Sequence, residues 1–297
     1  MLLFVVFLFI MEILGQGHGG IVVADSASAV KKFYLAQVNG VNEQQQLTFL
    51  GSLQDQGFGI GCTIPRLLEV VGEGSWEIDG KAYTYCNRIE RVPGTSARLA
   101  VPGFTAEQVE ALGQDLGTIA FSLHALSKVY TEQWRRTFGE EDKLLAHILE
   151  DKAAQVMREG SDRSVNERVK HAAGYLQTRC QSVVSENTLS HLDYTLSNAQ
   201  VSHTGHVNGF VDWGDLGLTN PALSLCQLAA RPVWPHVKRQ YEHMGGSIRE
   251  DITYAAAAIH LAWAPVICDQ LGVPVEPEET PEHFETMYAQ FEAHSLC

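Results

Sequence analysis

Residues 189–198 read LSHLDYTLSN and place His191, Asp193 and Asn198 in the pattern H-x-D-x-x-x-x-N among apolar neighbours. An Asp and an Asn at this spacing can form a turn and a helix cap. They can equally supply a base and a metal ligand. Val211–Asp215, Val-Asp-Trp-Gly-Asp, lies fourteen residues beyond Asn198, and Asp212 ends a β-prone run over 207–211. The turn-forming stretch SHTGH separates that run from Asn198-Ala-Gln-Val, which predicts a hairpin. An Asp on a loop, an Asn entering one strand and an Asp leaving its hairpin partner can converge on one point. Mg²⁺ takes oxygen ligands and keeps waters, so Asn198 and Asp212 with nucleotide phosphates suffice to hold it. Asp193 is then available to orient and deprotonate an attacking hydroxyl. His191 is read as a structural residue of the same loop.

The N-terminal end supplies a second constellation. Gly15, Gly17 and Gly20 form G-x-G-x-x-G, whose missing Cβ atoms let backbone N–H groups approach phosphates. A dinucleotide fold needs a helix directly after such glycines, whereas β-prone IVVA follows here. A second β-prone run, Ala29–Phe33, carries Ala-Val-Lys. Strand, glycine loop, strand and strand-borne lysine is the order of a kinase small lobe. Lys31 is expected to reach the phosphates, with Lys32 on the opposite face because side chains alternate along a strand. A buried ammonium needs a carboxylate, and Glu43, near the start of a helix predicted over Asn42–Leu53, is the candidate. The competing reading makes Glu43 a solvated acid that suits the helix dipole.

Taken together, these residues resemble the aminoglycoside phosphotransferase and choline kinase family, the small-molecule branch of the protein-kinase-like fold. The family pattern H-G-D-x-x-x-x-N followed by I-D-W is met by HLDYTLSN and VDW. The resemblance runs over nearly the whole chain, through the glycine loop, Lys31, Glu43, the IERVPG hinge and the helix ending LHAL. It implies an α+β, two-lobed fold: a β-rich nucleotide-binding lobe over 1–86, a hinge over 87–95 and a helical lobe over 96–297. It also implies ATP or GTP as donor, Mg²⁺ as metal and adenine held by hinge backbone near Glu90 and Val92. The acceptor would be a hydroxyl of a small cationic molecule, such as an aminoglycoside or other amino alcohol. Asp215, Glu276, Glu278 and Glu279 are candidate acceptor contacts. Leu192 stands where the family has Gly, and Asn220 and Ser224 stand where it has two acids. Two rival readings are a catalytically silent nucleotide-binding protein of the same fold and a protein kinase. Thr195 in place of a catalytic-loop lysine, DWG for DFG and the lack of an A-P-E segment weigh against the second.

Composition sets the outer limits. The 297 residues are 45% hydrophobic and 19% charged, which suits a globular chain with a sizeable core. The formal charge of −14 disfavours nucleic acid and anionic membrane as partners and steers cations inward, although the same charge also serves solubility alone. Six scattered cysteines without C-x-x-C point to a reduced, cytoplasmic setting and away from a zinc site. The leading run MLLFVVFLFIM resembles the h-region of a signal peptide, but it has no Lys or Arg ahead of it and is too short to span a bilayer. It is read as a buried β-strand with an extra leading segment, a membrane-tethered form being the alternative. Oligomeric state is not legible in the sequence. Thr105 and Gln108 predict a capping box ahead of a long amphipathic helix, and further helices are expected over Lys143–Arg158, Val165–Cys180 and beyond Pro232.

Overall fold

The structure is a computed structural model that describes residues 12–16, 20–138, 145–160, 162–182, 188–271, 275 and 279–295. The leading apolar run therefore lies outside the described residues, as do Gly17, Glu276 and Glu278. The chain divides into two compact units. The first takes the described residues up to Phe58, then Thr63–Pro93, and then Gly209–Gly214. The second takes Gly59–Cys62, Gly94–Asn208 and the residues from Asp215 onward.

The first unit is built on β1 (Ile13–Gln16), β2 (Gly20–Ala24), β3 (Ala29–Tyr34), helix α1 (Gln37–Asp55), β4 (Leu67–Ile78) and β5 (Lys81–Glu90). The strands form one antiparallel sheet in the order β1-β2-β3-β5-β4. Ile21, Val23, Phe33, Ile78, Tyr83 and Cys86 make an apolar cluster, with Trp76 packed against it. The glycine-rich segment GEGSWEIDGK is mostly strand. Only Asp79 and Gly80 turn, at φ 51° and 70°, the left-handed pair that a two-residue hairpin favours. Alternating Trp76 and Ile78 supply the apolar positions that keep β4 extended across the glycines. Those glycines coincide with breaks in register, between Val70 and Gly72 and between Glu73 and Trp76.

Helix α1 begins five residues before the predicted start, so Glu43 lies in its second turn. Gly40 fixes how the helix sits. A Cβ there would fall 2.3 Å from the Tyr85 ring and 2.9 Å from the Tyr34 ring. The Asn87 side chain donates to the Gly40 carbonyl at 2.9 Å, and Glu43 lies one turn further on.

The second unit contains β6 (Thr95–Ser96), α2 (Ala97–Ala100), α3 (Ala106–Ala125), α4 (Ser127–Phe138), α5 (Leu145–Glu159), α6 (Arg163–Ser182), β7 (Thr188–His191), β8 (Ala199–Val201), β10 (Leu216–Thr219), α7 (Pro221–Ser224), α8 (Trp234–His243), α9 (Glu250–Leu271) and α10 (Pro281–Ser295). Strand β9 (Val207–Phe210) begins in the second unit and ends in the first. Strand β7 pairs antiparallel with β10. Thr105 caps α3 with the predicted box, its hydroxyl accepting from the Gln108 N–H while the Gln108 side chain accepts from the Thr105 N–H. The buried side chains Ile252, Ala255, Ala256 and Ile259 run along α9, which packs against α5, α6 and α10. Helix α4, in which Trp134 is buried and stacks on Phe138, was not anticipated.

Ser224, one of the positions that departs from the family pattern, has a clear role here. Its Oγ lies 3.1 Å from His124 Nε2, and His124 Nδ1 lies 2.9 Å from the Tyr241 hydroxyl. Burial pushes the His124 pKa down to about 3. A neutral imidazole suits a neutral hydroxyl, whereas a carboxylate at Ser224 would favour the imidazolium. The unfolded chain takes up a proton near pH 6.5 that the folded chain refuses until about pH 3. Stability from this group is therefore complete above pH 6.5. It should fall by up to about 1.4 kcal/mol per pH unit as pH drops from there. Urea unfolding of wild type and His124→Gln at successive pH values checks this, and the variant should show the shallower dependence by about one proton. Identical slopes would contradict it.

Candidate active site

Two carboxylates of the first unit meet around one ammonium. Lys32 Nζ lies 2.7 Å from Glu43 Oε2 and 2.7 Å from Asp212 Oδ1. The Tyr34 hydroxyl donates to the same Glu43 oxygen at 2.7 Å, and the Asn87 amide donates to the Tyr34 oxygen at 3.3 Å. Burial alone would lower the Lys32 pKa, but Glu43 and Asp212 outweigh it and raise it, so the ammonium keeps its proton. The two carboxylates differ in setting. The Glu43 side chain is 4% exposed and that of Asp212 is 45% exposed. Asp212 also sits at φ 61°, a left-handed conformation that costs a non-glycine residue on the order of 1 kcal/mol or more. Such strain recurs where a side chain must be aimed.

The pairing expected for Lys31 is thus made by Lys32. Lys31 lies on the other face of β3, 3.1 Å from Asp25, which also takes Arg88 at 2.6 Å. Strand alternation was read correctly, but its phase was reversed. What sets the phase is Phe33, which shares the Lys31 face and must join the apolar cluster. Tyr34 then shares the Lys32 face and reaches Glu43.

Of the glycine motif, Gly17 lies outside the described residues. Gly15 lies within β1, and Gly20 opens β2 so close to β3 that a Cβ would sit 2.2 Å from the Phe33 carbonyl oxygen. The sheet itself requires that glycine. At the hinge, the Glu90 N–H donates to the Arg66 carbonyl at 2.8 Å and the Arg91 N–H to the Ser28 carbonyl at 2.9 Å. The Val92 N–H has no backbone acceptor among the described residues.

In the second unit the loop after β7 holds Asp193. The Asn198 amide nitrogen donates to Asp193 Oδ2 at 2.8 Å and to the Asp193 carbonyl at 2.9 Å. Both partners only accept, so the orientation of the Asn198 amide is fixed and its oxygen points away from them. That oxygen is a hard ligand of the kind Mg²⁺ takes. Gln227 completes the arrangement by donating from its amide to Asp193 Oδ1 at 3.0 Å. Sequence reasoning missed Gln227, because it lies 34 residues away in a turn with no motif around it. Asp193 is thereby gripped at both oxygens.

The loop around Asp193 is built from buried contacts. His191 is fully buried, consistent with a structural part, and the Tyr194 hydroxyl donates to the Leu116 carbonyl at 2.8 Å. The Leu192 N–H donates to the Asp215 carbonyl at 2.7 Å. Leu192 itself packs over Gly217, where a Cβ would lie 2.9 Å from Leu192 Cδ1. The bulk added by Leu192 is taken up by that glycine. Asn220 caps α7 by accepting from the Ala222 N–H at 2.9 Å. Of the candidate acceptor contacts, Asp215 is exposed, whereas Glu279 is buried between Arg231 at 3.6 Å and His260 at 3.5 Å. Among the described residues no three His, Cys, Asp or Glu side chains gather to hold a metal unaided.

Comparison with known proteins follows the same lines. A search of curated proteins finds no match. Solved structures match over nearly the whole length. APH(2")-IIIa in complex with GDP and kanamycin superposes with a TM-score of 0.68 at 14% identity, covering 95% of this chain and 93% of that one. The ternary complex of APH(2")-IIa with streptomycin and ATP gives 0.57 at 12% identity, covering 95% and 93%. The macrolide 2'-phosphotransferase MphH from Brachybacterium faecium gives 0.59 at 13% identity, covering 95% and 91%. At such identities the likeness shows the fold, which is the protein-kinase-like fold of these enzymes. The model of the phosphotransferase enzyme family matches residues 25–260. The chain belongs to the phosphotransferase enzyme family.

Proposed function

We propose that this protein transfers the γ-phosphoryl group of ATP or GTP to a hydroxyl of a small molecule. The observation that carries the reading is the grip on Asp193: one oxygen held by Asn198, the other by Gln227, with no basic side chain in ion-pair contact among the described residues. A carboxylate so fixed is suited to align a hydroxyl and accept its proton as the oxygen attacks phosphorus. Lys32, rather than Lys31, is the residue suited to the α- and β-phosphates, and Glu43 keeps it oriented and charged. Val92 offers backbone to the base. Asn198 and Asp212 would hold Mg²⁺, and their amide and carboxylate oxygens fit its preference. The metal, when bound, would neutralise charge on the phosphates. The formal charge of −14 favours a cationic acceptor at long range, and kanamycin and streptomycin appear in complexes of similar folds. The retained Asp193, Asn198, Asp212 and Lys32 set favour an active enzyme over a silent relative. A cytoplasmic setting fits the ATP requirement.

The lysine assignment gives a paired test. Lys32→Met should lower kcat/KM for ATP by about 10²–10³, the loss typical of removing one charged group from a transferring phosphoryl site. Lys31→Met should stay within about twofold, since its ion pair with Asp25 is partly exposed on the other face of the strand. Steady-state ADP release by both variants decides between them, and equal losses would sink the assignment.

The base assignment rests on different variants. Asp193→Asn should lose about 10²–10⁴ in kcat while Mg·ATP affinity, measured by calorimetry, holds. Gln227→Leu should reduce kcat by about tenfold, as expected for one hydrogen bond to a charged group, again without loss of nucleotide binding. Turnover near wild type in Asp193→Asn would remove it from the reaction. Collapse of nucleotide binding would make it a scaffold residue.

A further inference from the structure

Helices α5 and α9 bring together polar groups that the reaction above does not use. Lys152 Nζ lies 3.0 Å from His260 Nδ1 and 4.1 Å from the centre of the Trp263 ring. An ammonium can only donate, so His260 Nδ1 accepts, and its other ring nitrogen carries the proton. That nitrogen lies 3.5 Å from Glu279 Oε1, which is also 3.6 Å from Arg231. Trp263 is held in turn by its indole N–H, which donates to the Gln155 side chain at 2.8 Å. Among the described residues no carboxylate comes within ion-pair distance of Lys152. Its neighbours are a neutral ring and an aromatic face. Glu279 is spoken for by Arg231.

This is an uncommon state for a lysine. Burial lowers the Lys152 pKa against the opposing pulls of Cys226, Asp193, Glu279 and Asp215, so its ammonium has lost water and, among the described residues, has no carboxylate at contact. The cost of such an arrangement is recovered when an anion binds. The location restricts which anion. Helix α9, which carries His260 and Trp263, packs against the Cys226–Leu228 turn, whose Gln227 holds Asp193 at 3.0 Å. His260 and Trp263 thus lie on an element that borders the carboxylate that would take the acceptor proton. Asp193, Glu279 and Asp215 all pull on the ammonium from a distance. Trp263 adds a flat apolar wall beside the ammonium.

We infer that Lys152, aligned by His260 and Trp263, is a binding residue for an anionic group on the acceptor, a carboxylate or a phosphate carried near the hydroxyl that is phosphorylated. The inference rests on the reading of Asp193 as the base. It narrows the acceptor class, because a polyamine lacking an anionic group would meet an unpaired ammonium beside its reacting hydroxyl. A zwitterionic hydroxy acid satisfies both this local requirement and the long-range field of an acidic protein.

Matched acceptors test it with the full-length chain: glycerate against glycerol, homoserine against its amide, ribose 5-phosphate against ribose, with kanamycin as the polyamine. The anionic member of at least one pair should be phosphorylated with a kcat/KM about ten- to hundredfold higher, the range of a charge-assisted hydrogen bond. The carboxylate and phosphate pairs separate the two anion sources. In Lys152→Met, which keeps contact with Trp263 but has no charge, the preference should vanish through KM while Mg·ATP affinity is unchanged. Calorimetric titration of the same anions into the nucleotide-bound protein reads the site without turnover. Three results overturn the inference: preference for neutral or polyamine acceptors, an intact preference in Lys152→Met, or no anion binding that depends on Lys152. A fall in kcat with every acceptor, together with slower background ATP hydrolysis, also overturns it by assigning Lys152 to the transferred phosphoryl group. Failure of Mg·ATP itself to bind the wild type would instead refute the phosphotransferase reading, and the anion titration would still judge the lysine.

Discussion

A lysine ammonium sequestered between two carboxylates is the constraint around which the first unit is organised. Removing these groups from water costs several kcal/mol per ion, and loss of one partner leaves an uncompensated charge. The surrounding structure meets that cost with specific contacts. Tyr34 donates to Glu43, Asn87 supports Tyr34, and the same Asn87 fastens α1 at Gly40. The helix therefore cannot shift without breaking the ion pair. One lysine between two acids leaves a net negative charge, and its more exposed share is on Asp212. That surplus is what a divalent cation would answer, while Lys32 is already charged for phosphate. The triad thus joins a buried acid beside the helix anchor, Glu43, to a more exposed one, Asp212.

In the second unit the comparable economy is at Asp193. Asn198 uses its nitrogen to hold the acid and keeps its oxygen outward, so one side chain does two jobs through opposite ends of an amide. Gln227 restrains the second carboxylate oxygen. Lys152 and His260 add positive and neutral donors within electrostatic reach of the same acid, and they differ in kind from the acids that an aminoglycoside-like acceptor would call for.

Much of this was legible in the chain, for identifiable reasons. The catalytic loop and Val211–Asp215 could be read because short-range spacing fixes which residues share a loop. The capping box at Thr105 is a local interaction and survived intact. Lys31 was misassigned because a period of two does not say which phase faces the helix. That choice was made by Phe33 and Tyr34, through contacts with residues distant in sequence. Glycines in β4 mark register breaks within a strand, which composition alone does not distinguish from a turn. Gln227, Lys152 and His260 carried no signal, since their meaning arises only when separate helices and turns meet. Ser224 could be noted as a departure, but its partner His124 lies 100 residues away.

The central claim is that Lys32, Glu43 and Asp212 act as one nucleotide-binding unit. A double-mutant cycle on Mg·ATP affinity tests it most directly, with Lys32→Met, Glu43→Gln and the double variant measured by calorimetry on chains whose folding is verified. The account predicts that each single change weakens binding and that the double variant is little worse than Lys32→Met alone, a coupling of about 1 kcal/mol or more. Additive losses, or a Glu43→Gln variant that binds nucleotide as wild type does, would contradict it.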